Sequence, residues 1–189
     1  MRSKSYLLAA FMLLAVPVAA AAQTGVELWY KLAPAGGGFS ILMPTRAAHQ
    51  TQTNPADPRM KMDIYTSEGE NRFFYVSSLD FTGIFQPSAA GFESFAKGFL
   101  ESFCDAQRKS GLKCETTFER DLTLGGHRGR QFKLVMAGRS VTLEGVLRIY
   151  MTGKHFYALQ ALGAREGDAA IDKFLRSFAI TQAAAGGRR

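Results

Sequence analysis

Three histidines, two cysteines, three close acid pairs and one arginine pair are the residues whose type and spacing bear on chemistry. His49 falls in a polar stretch, and His127 and His155 each follow a glycine-containing turn. No H-x-x-x-H or H-E-x-x-H spacing occurs, and the cysteines do not stand at zinc-binding spacing. A nucleophilic serine would show as G-x-S-x-G after a strand, and none occurs; Gly138-Arg139-Ser140 reads as a hairpin turn. The acid pairs Glu68/Glu70, Glu119/Asp121 and Asp168/Asp172 sit at a turn, a strand end and a helix start, where solvated carboxylates are ordinary. A glycosidase-like pair would require the fold to bring two of them together. Gly36-Gly37-Gly38 leads into a strand, so it lacks the helix dipole of a phosphate loop. No catalytic, metal or cofactor motif is written in the chain.

Two features point to binding instead. In His127-Arg128-Gly129-Arg130-Gln131-Phe132-Lys133, strand alternation places Arg128 and Arg130 on one face, where two guanidinium groups can grip a carboxylate or phosphate. An ordinary salt-bridged sheet surface is the competing reading. The connection Phe81-Thr82-Gly83-Ile84-Phe85 offers Phe81, Ile84 and Phe85 as a partner patch if exposed, and as a cap on the core if buried.

The elements that must position these residues follow from periodicity. Val26 to Leu32 and Phe39 to Met43 read as a hairpin across Pro34 and three glycines. His49 to Arg59, polar and carrying Pro55 and Pro58, reads as an exposed loop or edge segment. Met60 to Tyr65 alternates as a strand, and Phe73 to Leu79 is the next. Ser88 to Lys109 is the long helix: Phe92, Phe95, Phe99 and Phe103 share one face, and Glu93, Lys97 and Glu101 suit the solvent side. Strands follow at Lys113 to Leu122, His127 to Met136, Val141 to Met151 and His155 to Leu162. In the third of these, Val141, Leu143, Leu147, Ile149 and Met151 share a face. Asp168 caps a short helix that turns Ile171, Phe174 and Leu175 inward, and Phe178 and Ile180 close the domain. The expected fold is α+β, an antiparallel sheet of about seven or eight strands with one long and one short helix packed on it.

The N-terminus is read as a signal peptide over residues 1–22. Arg2 and Lys4 precede an apolar run from Tyr6 to Val18, and Ala20 and Ala22 set cleavage between Ala22 and Gln23. That run of 13 residues is too short for a bilayer, which takes roughly 20. Of the 189 residues, 23–182 then form one domain and 183–189 a frayed tail, with no transmembrane segment in the mature protein. The whole chain carries 23 basic and 16 acidic side chains; without Arg2 and Lys4 the balance is 21 against 16. Ten of those basic residues fall between Arg108 and Lys154, against four acids. This field attracts anions, and export makes phospholipid head groups or acidic partners more suitable than nucleic acid. In an oxidising compartment Cys104 and Cys114 are expected to pair, tying the helix to the following strand.

Four segments carry a family resemblance: Phe39-Ser-Ile-Leu-Met-Pro44, Leu124-Gly-Gly-His-Arg-Gly-Arg-Gln-Phe132, Arg148-Ile-Tyr-Met-Thr-Gly-Lys-His-Phe-Tyr-Ala-Leu159 and Phe174-Leu-Arg-Ser-Phe-Ala-Ile180. In content and order they resemble small exported bacterial proteins with a PsbP-like fold. The resemblance implies an α/β/α sandwich and a binding or assembly role, as in the extrinsic subunit of the photosynthetic oxygen-evolving complex. Photosynthesis itself is not implied, and the cysteine pair is not part of the family pattern.

The expectation is therefore a periplasmic or secreted, non-enzymatic envelope protein, without cofactor, that binds a protein partner or an anionic ligand. The alternatives are an envelope hydrolase assembled from distant loops and a cationic membrane-surface protein.

Overall fold

The computed structural model describes residues 28–54, 57–69, 72–82, 84, 88–163 and 168–181. The segment read as a signal peptide, its expected cleavage point at Ala22 and Gln23, and residues 183–189 lie outside them, as do Val26, Glu70 and Phe85. In chain order the strands are β1 (Tyr30–Leu32), β2 (Phe39–Met43), β3 (Ala48–Asn54), β4 (Asp57–Gly69) and β5 (Arg72–Asp80). Then come α1 (Ala89–Lys109), β6 (Lys113–Leu124), β7 (His127–Ala137), β8 (Thr142–Met151), β9 (His155–Leu162), α2 (Ala169–Ser177) and β10 (Ala179–Ile180).

Seven strands form one antiparallel sheet in the order β3-β4-β5-β9-β8-β7-β6. A second, three-stranded sheet has the order β1-β2-β10. The fold is α+β, with the large sheet covered on both faces, as its apolar pattern demands. Along β9, Phe156, Ala158 and Leu162 face a core shared with Phe92, Ala96 and Phe99 of α1. The alternate residues Tyr157, Leu159 and Ala161 face a second core, filled by Phe39, Ile41 and Met43 of β2 and by Ile171, Phe174 and Leu175 of α2.

Local signals set the helix ends. The Ser88 hydroxyl accepts from the Gly91 N–H at 3.0 Å, capping α1, and Arg108 and Lys109 occupy its last turn. Gly111 follows with φ +82°, the left-handed conformation that ends a helix. Asp168 caps α2 by accepting from the Ala170 N–H at 2.8 Å, and Arg72 of β5 pairs with the same carboxylate at 2.9 Å.

The structure decides two open readings and corrects a third. Of loop or edge segment, the polar stretch from His49 is an edge: β3 forms one edge of the sheet, and β4 begins at Asp57, where Asn54 pairs with it. Its outward side chains are polar because an edge strand with one wet face has little to bury. Val141 lies before β8 and is 51% exposed, although Leu147, Ile149 and Met151 on the same pattern are buried. Phe81 is fully buried and belongs to the α1-side core, packing on Phe95 at 5.1 Å between ring centres. It cannot serve in a surface patch; Ile84 is half-buried and Phe85 is not described.

Where β8 meets β9, a Cβ on Gly145 would drive into the Ala161 carbonyl oxygen, whereas one on Gly98 of α1 meets nothing. Gly145→Ala is expected to cost about 1–3 kcal/mol of stability, and Gly98→Ala to add about 0.5–1 kcal/mol. Denaturant midpoints check both, and equal effects would contradict the packing.

A pH dependence follows at the α2 cap. Burial raises the Asp168 pKa, but the Ala170 N–H and the Arg72 guanidinium outweigh it and hold the carboxyl below its usual value. A carboxyl depressed in this way stabilises the fold fully above its unfolded pKa of about 3.9, and the contribution is lost as pH falls through the folded value. Asp168→Asn keeps a capping oxygen and removes the charge. It should be less stable near neutrality, with the gap to wild type closing below about pH 4; urea melts across pH measure this.

Candidate functional site

A cleft of about 840 Å³ lies between α1 and the edge strand β6. Ala96, Leu100 and Phe132 give it an apolar floor, while Ser94, Lys97 and Glu101 of the helix face Thr116 and Thr117 of the strand. Neighbouring strand residues point to opposite faces. That both threonines line the cleft means it reaches the strand's backbone as well as its side chains. Among the described residues β6 ends the sheet order, so that edge has no further strand beside it.

Each end of the cleft is fastened. At one end Cys104 of α1 and Cys114 of β6 form a disulfide across a sequence separation of ten. At the other, Arg130 reaches from β7 to Glu93 of α1 at 2.6 Å and to Asp121 of β6 at 3.0 Å. Its guanidinium lies between the rings of Phe92 and Phe118, 5.8 Å and 5.4 Å from their centres. The Asp121 hydrogen bond raises the Arg130 pKa; burial opposes it, and the Glu93 charge adds to it. Arg128 stands beside it over Phe92 and 3.7 Å from Glu93.

The arginine pair thus shares a face and grips a carboxylate, as alternation implies, but the carboxylate is the protein's own Glu93. The helix turns that residue toward the sheet, where the sequence spacing suggested solvent. The pair matches the competing reading, a salt-bridged sheet surface, in which Arg130 already holds two acids.

The acid pairs separate for a structural reason. A register shift between Phe118 and Arg120 lets Asp121 meet Arg130 on the α1 side, while Glu119 accepts from Gln131 on the other. Asp168 caps α2, and Asp172 pairs with Arg176 on its outer side.

The histidines lie outside the cleft. His49 stacks on Tyr65 at 4.6 Å and bonds Asp63 at 2.9 Å, and the Thr51 hydroxyl donates to the same Asp63 oxygen at 2.6 Å. Here the carboxylate stands between imidazole and hydroxyl, whereas nucleophile activation needs the imidazole in the middle. His155 stacks on Tyr157, with Nε2 4.0 Å from Asp80. The Tyr157 hydroxyl donates to the Gly37 carbonyl, and burial pushes its pKa far above the usual tyrosine value, so it stays protonated. Among the described residues no group of three His, Cys, Asp or Glu is placed to hold a metal ion. No helix there is long and apolar enough to cross a membrane.

With sheet order and layers established, the comparison with solved structures is informative. The solution structure of cyanobacterial PsbP (CyanoP) from Synechocystis sp. PCC 6803 superimposes with a TM-score of 0.58, over 86% of this chain and 98% of that one. The fold is PsbP-like. Sequence identity over the match is 9%, so the likeness carries the architecture alone. Neither a family model nor a curated protein sequence matches the chain. On this PsbP-like frame the disulfide fastens α1 to the edge strand.

The two fastenings should differ in strength. Closing a ten-residue separation predicts about 2.7 kcal/mol of stabilisation. Arg130→Ala should cost about 1–2 kcal/mol, and the more exposed Arg128→Ala less than about 0.5. Chemical denaturation with and without reductant, for wild type and both variants, measures the three terms.

Proposed function

We propose that this protein is an exported, non-enzymatic binding domain that holds an extended segment of a partner protein in the cleft between α1 and β6. The observation that carries this reading is the meeting of a fastened cleft with a sheet edge that has no neighbouring strand among the described residues. Such an edge accepts a further strand through main-chain hydrogen bonds, and a flanking groove supplies side-chain selectivity. The lining is balanced, with Glu93, Glu101 and Glu115 against Lys97, Arg108 and Arg130. A balanced lining suits a mixed polar peptide better than a strongly charged ligand.

Export rests on the N-terminal pattern of residues 1–22, and the disulfide agrees with an oxidising compartment. The rival reading, a hydrolase, would place a histidine between a carboxylate and a hydroxyl in a pocket. None of the three histidines lines the cleft, and the His49 cluster has the reverse order on an outer strand.

Photo-crosslinking residues introduced at Lys97, Thr116 and, on the far edge, Gln50 test this in the native envelope. The same partner should be captured from positions 97 and 116 and not from 50. With purified components, Thr116→Trp should then weaken binding at least tenfold, about 1.4 kcal/mol. Capture from all three positions alike, or unchanged affinity with the tryptophan, would overturn the proposal.

A further inference from the structure

On the sheet face away from α1, two arginines converge on one neutral acceptor. Arg148 of β8 donates from Nε to Gln131 Oε1 at 2.7 Å, and Arg120 of β6 donates from Nη2 to the same oxygen at 3.2 Å. Gln131 is buried, and its amide nitrogen donates to Glu119 Oε2 at 2.7 Å, which turns the oxygen toward both arginines. Neither arginine is in an ion pair with a carboxylate among the described residues. By contrast Arg59, Arg72, Arg108, Arg128, Arg130 and Arg176 all are. Arg46 and Arg139, both exposed, are in no such pair either; among the described residues Arg148 is the half-buried arginine without a carboxylate partner.

That arrangement is electrostatically unfavourable on its own. Burial is the largest influence on Arg148 and lowers its pKa; the Tyr150 side chain offsets part of this, and the Arg120 charge adds to it. The Leu175 carbonyl, in the last turn of α2, accepts from Arg148 Nη1 at a long 3.5 Å. Asp172, the nearest acid on that helix to act on Arg148, is already bonded to Arg176. Two positive charges held together in a partly desolvated site call for an anion.

We propose that Arg120 and Arg148 form a binding site for a phosphate-type oxyanion. Gln131 orients both guanidinium forks while leaving further N–H donors on each, the geometry that suits tetrahedral oxyanions. Glu119 on the same glutamine leaves the cluster with one net positive charge, and a tetrahedral oxyanion offers more acceptor oxygens to the remaining N–H donors than a carboxylate does. The site lies on the opposite face of the sheet from the α1–β6 cleft and does not depend on the peptide reading.

Titration of the isotopically labelled protein with inorganic phosphate, followed through the arginine Nε–H and Gln131 amide resonances, tests the site. Saturable shifts at Arg120, Arg148 and Gln131 are expected, at least tenfold stronger than with acetate at equal ionic strength. Arg120→Gln, an exposed substitution, should weaken them at least tenfold. Because Arg148 also contacts α2, Arg148→Lys, checked for a native melting curve, serves as a second variant with the same expected direction. A parallel arm uses phosphatidylglycerol vesicles. Binding that Arg120→Gln abolishes there, whether or not free phosphate also binds, assigns the phosphate to a head group, and binding in the free arm alone assigns a soluble one. No saturable response in either arm, equal response to acetate, or indifference to Arg120→Gln overturns the proposal. None of these outcomes bears on crosslinking at the cleft.

Discussion

The central strand β9 is buried on both faces for nearly its whole length, and that constraint organises the molecule. A strand with one wet face alternates apolar and polar residues, but Phe156 to Leu162 has no such alternation. Each face of the sheet then needs its own cover, and the chain provides two of different kinds. The four-phenylalanine stripe of α1 covers one face. The small sheet and α2 cover the other, with Phe39, Phe174 and Phe178 against Tyr157 and its neighbours. The closeness of β8 and β9 at Gly145 follows from the same pairing.

Coverage is incomplete toward the β6 edge, and the candidate sites lie there. There α1 packs against β6, and a cleft remains between them. The disulfide and the Arg130 cluster hold the helix and strand together at the ends of that cleft. The bulge between Phe118 and Arg120 then divides the charged residues of β6 between the two faces. Asp121 serves the cleft, while Glu119 and Arg120 join Gln131 and Arg148 on the open face. One extra residue in one strand separates a self-neutralised cluster from one with excess positive charge.

Much of the framework is legible in the residues. The i, i+3, i+4 spacing of phenylalanines marks α1, the Asp168 cap marks α2, and glycine turns mark the hairpins, because these are signals between near neighbours. The bridge is legible from two cysteines in a short loop. The rest needs long-range information. Phe81 stays open between surface patch and core cap because nothing local shows that Phe95 and the sheet cover it. Glu93 looks solvated because helical spacing does not reveal the arginines of β7 across from it. Arg120 and Arg148, 28 positions apart, have no sequence signal at all, because the adjacency of β6, β7 and β8 brings them together.

By itself the sequence determined what the chain is made of: an antiparallel α+β domain with two helices, a cysteine pair and no written catalytic motif. Those follow from composition, period and short spacing, which act between residues close along the chain. Only the tertiary structure decided where charge is matched and where it is not. Ion pairing depends on distances across strands and layers, and a one-residue bulge exchanges the faces on which those charges stand. Alternation alone puts Arg128 and Arg130 forward as the anion-binding pair. In the folded chain their charges are met by Glu93 and Asp121, and the unmatched pair is Arg120 with Arg148.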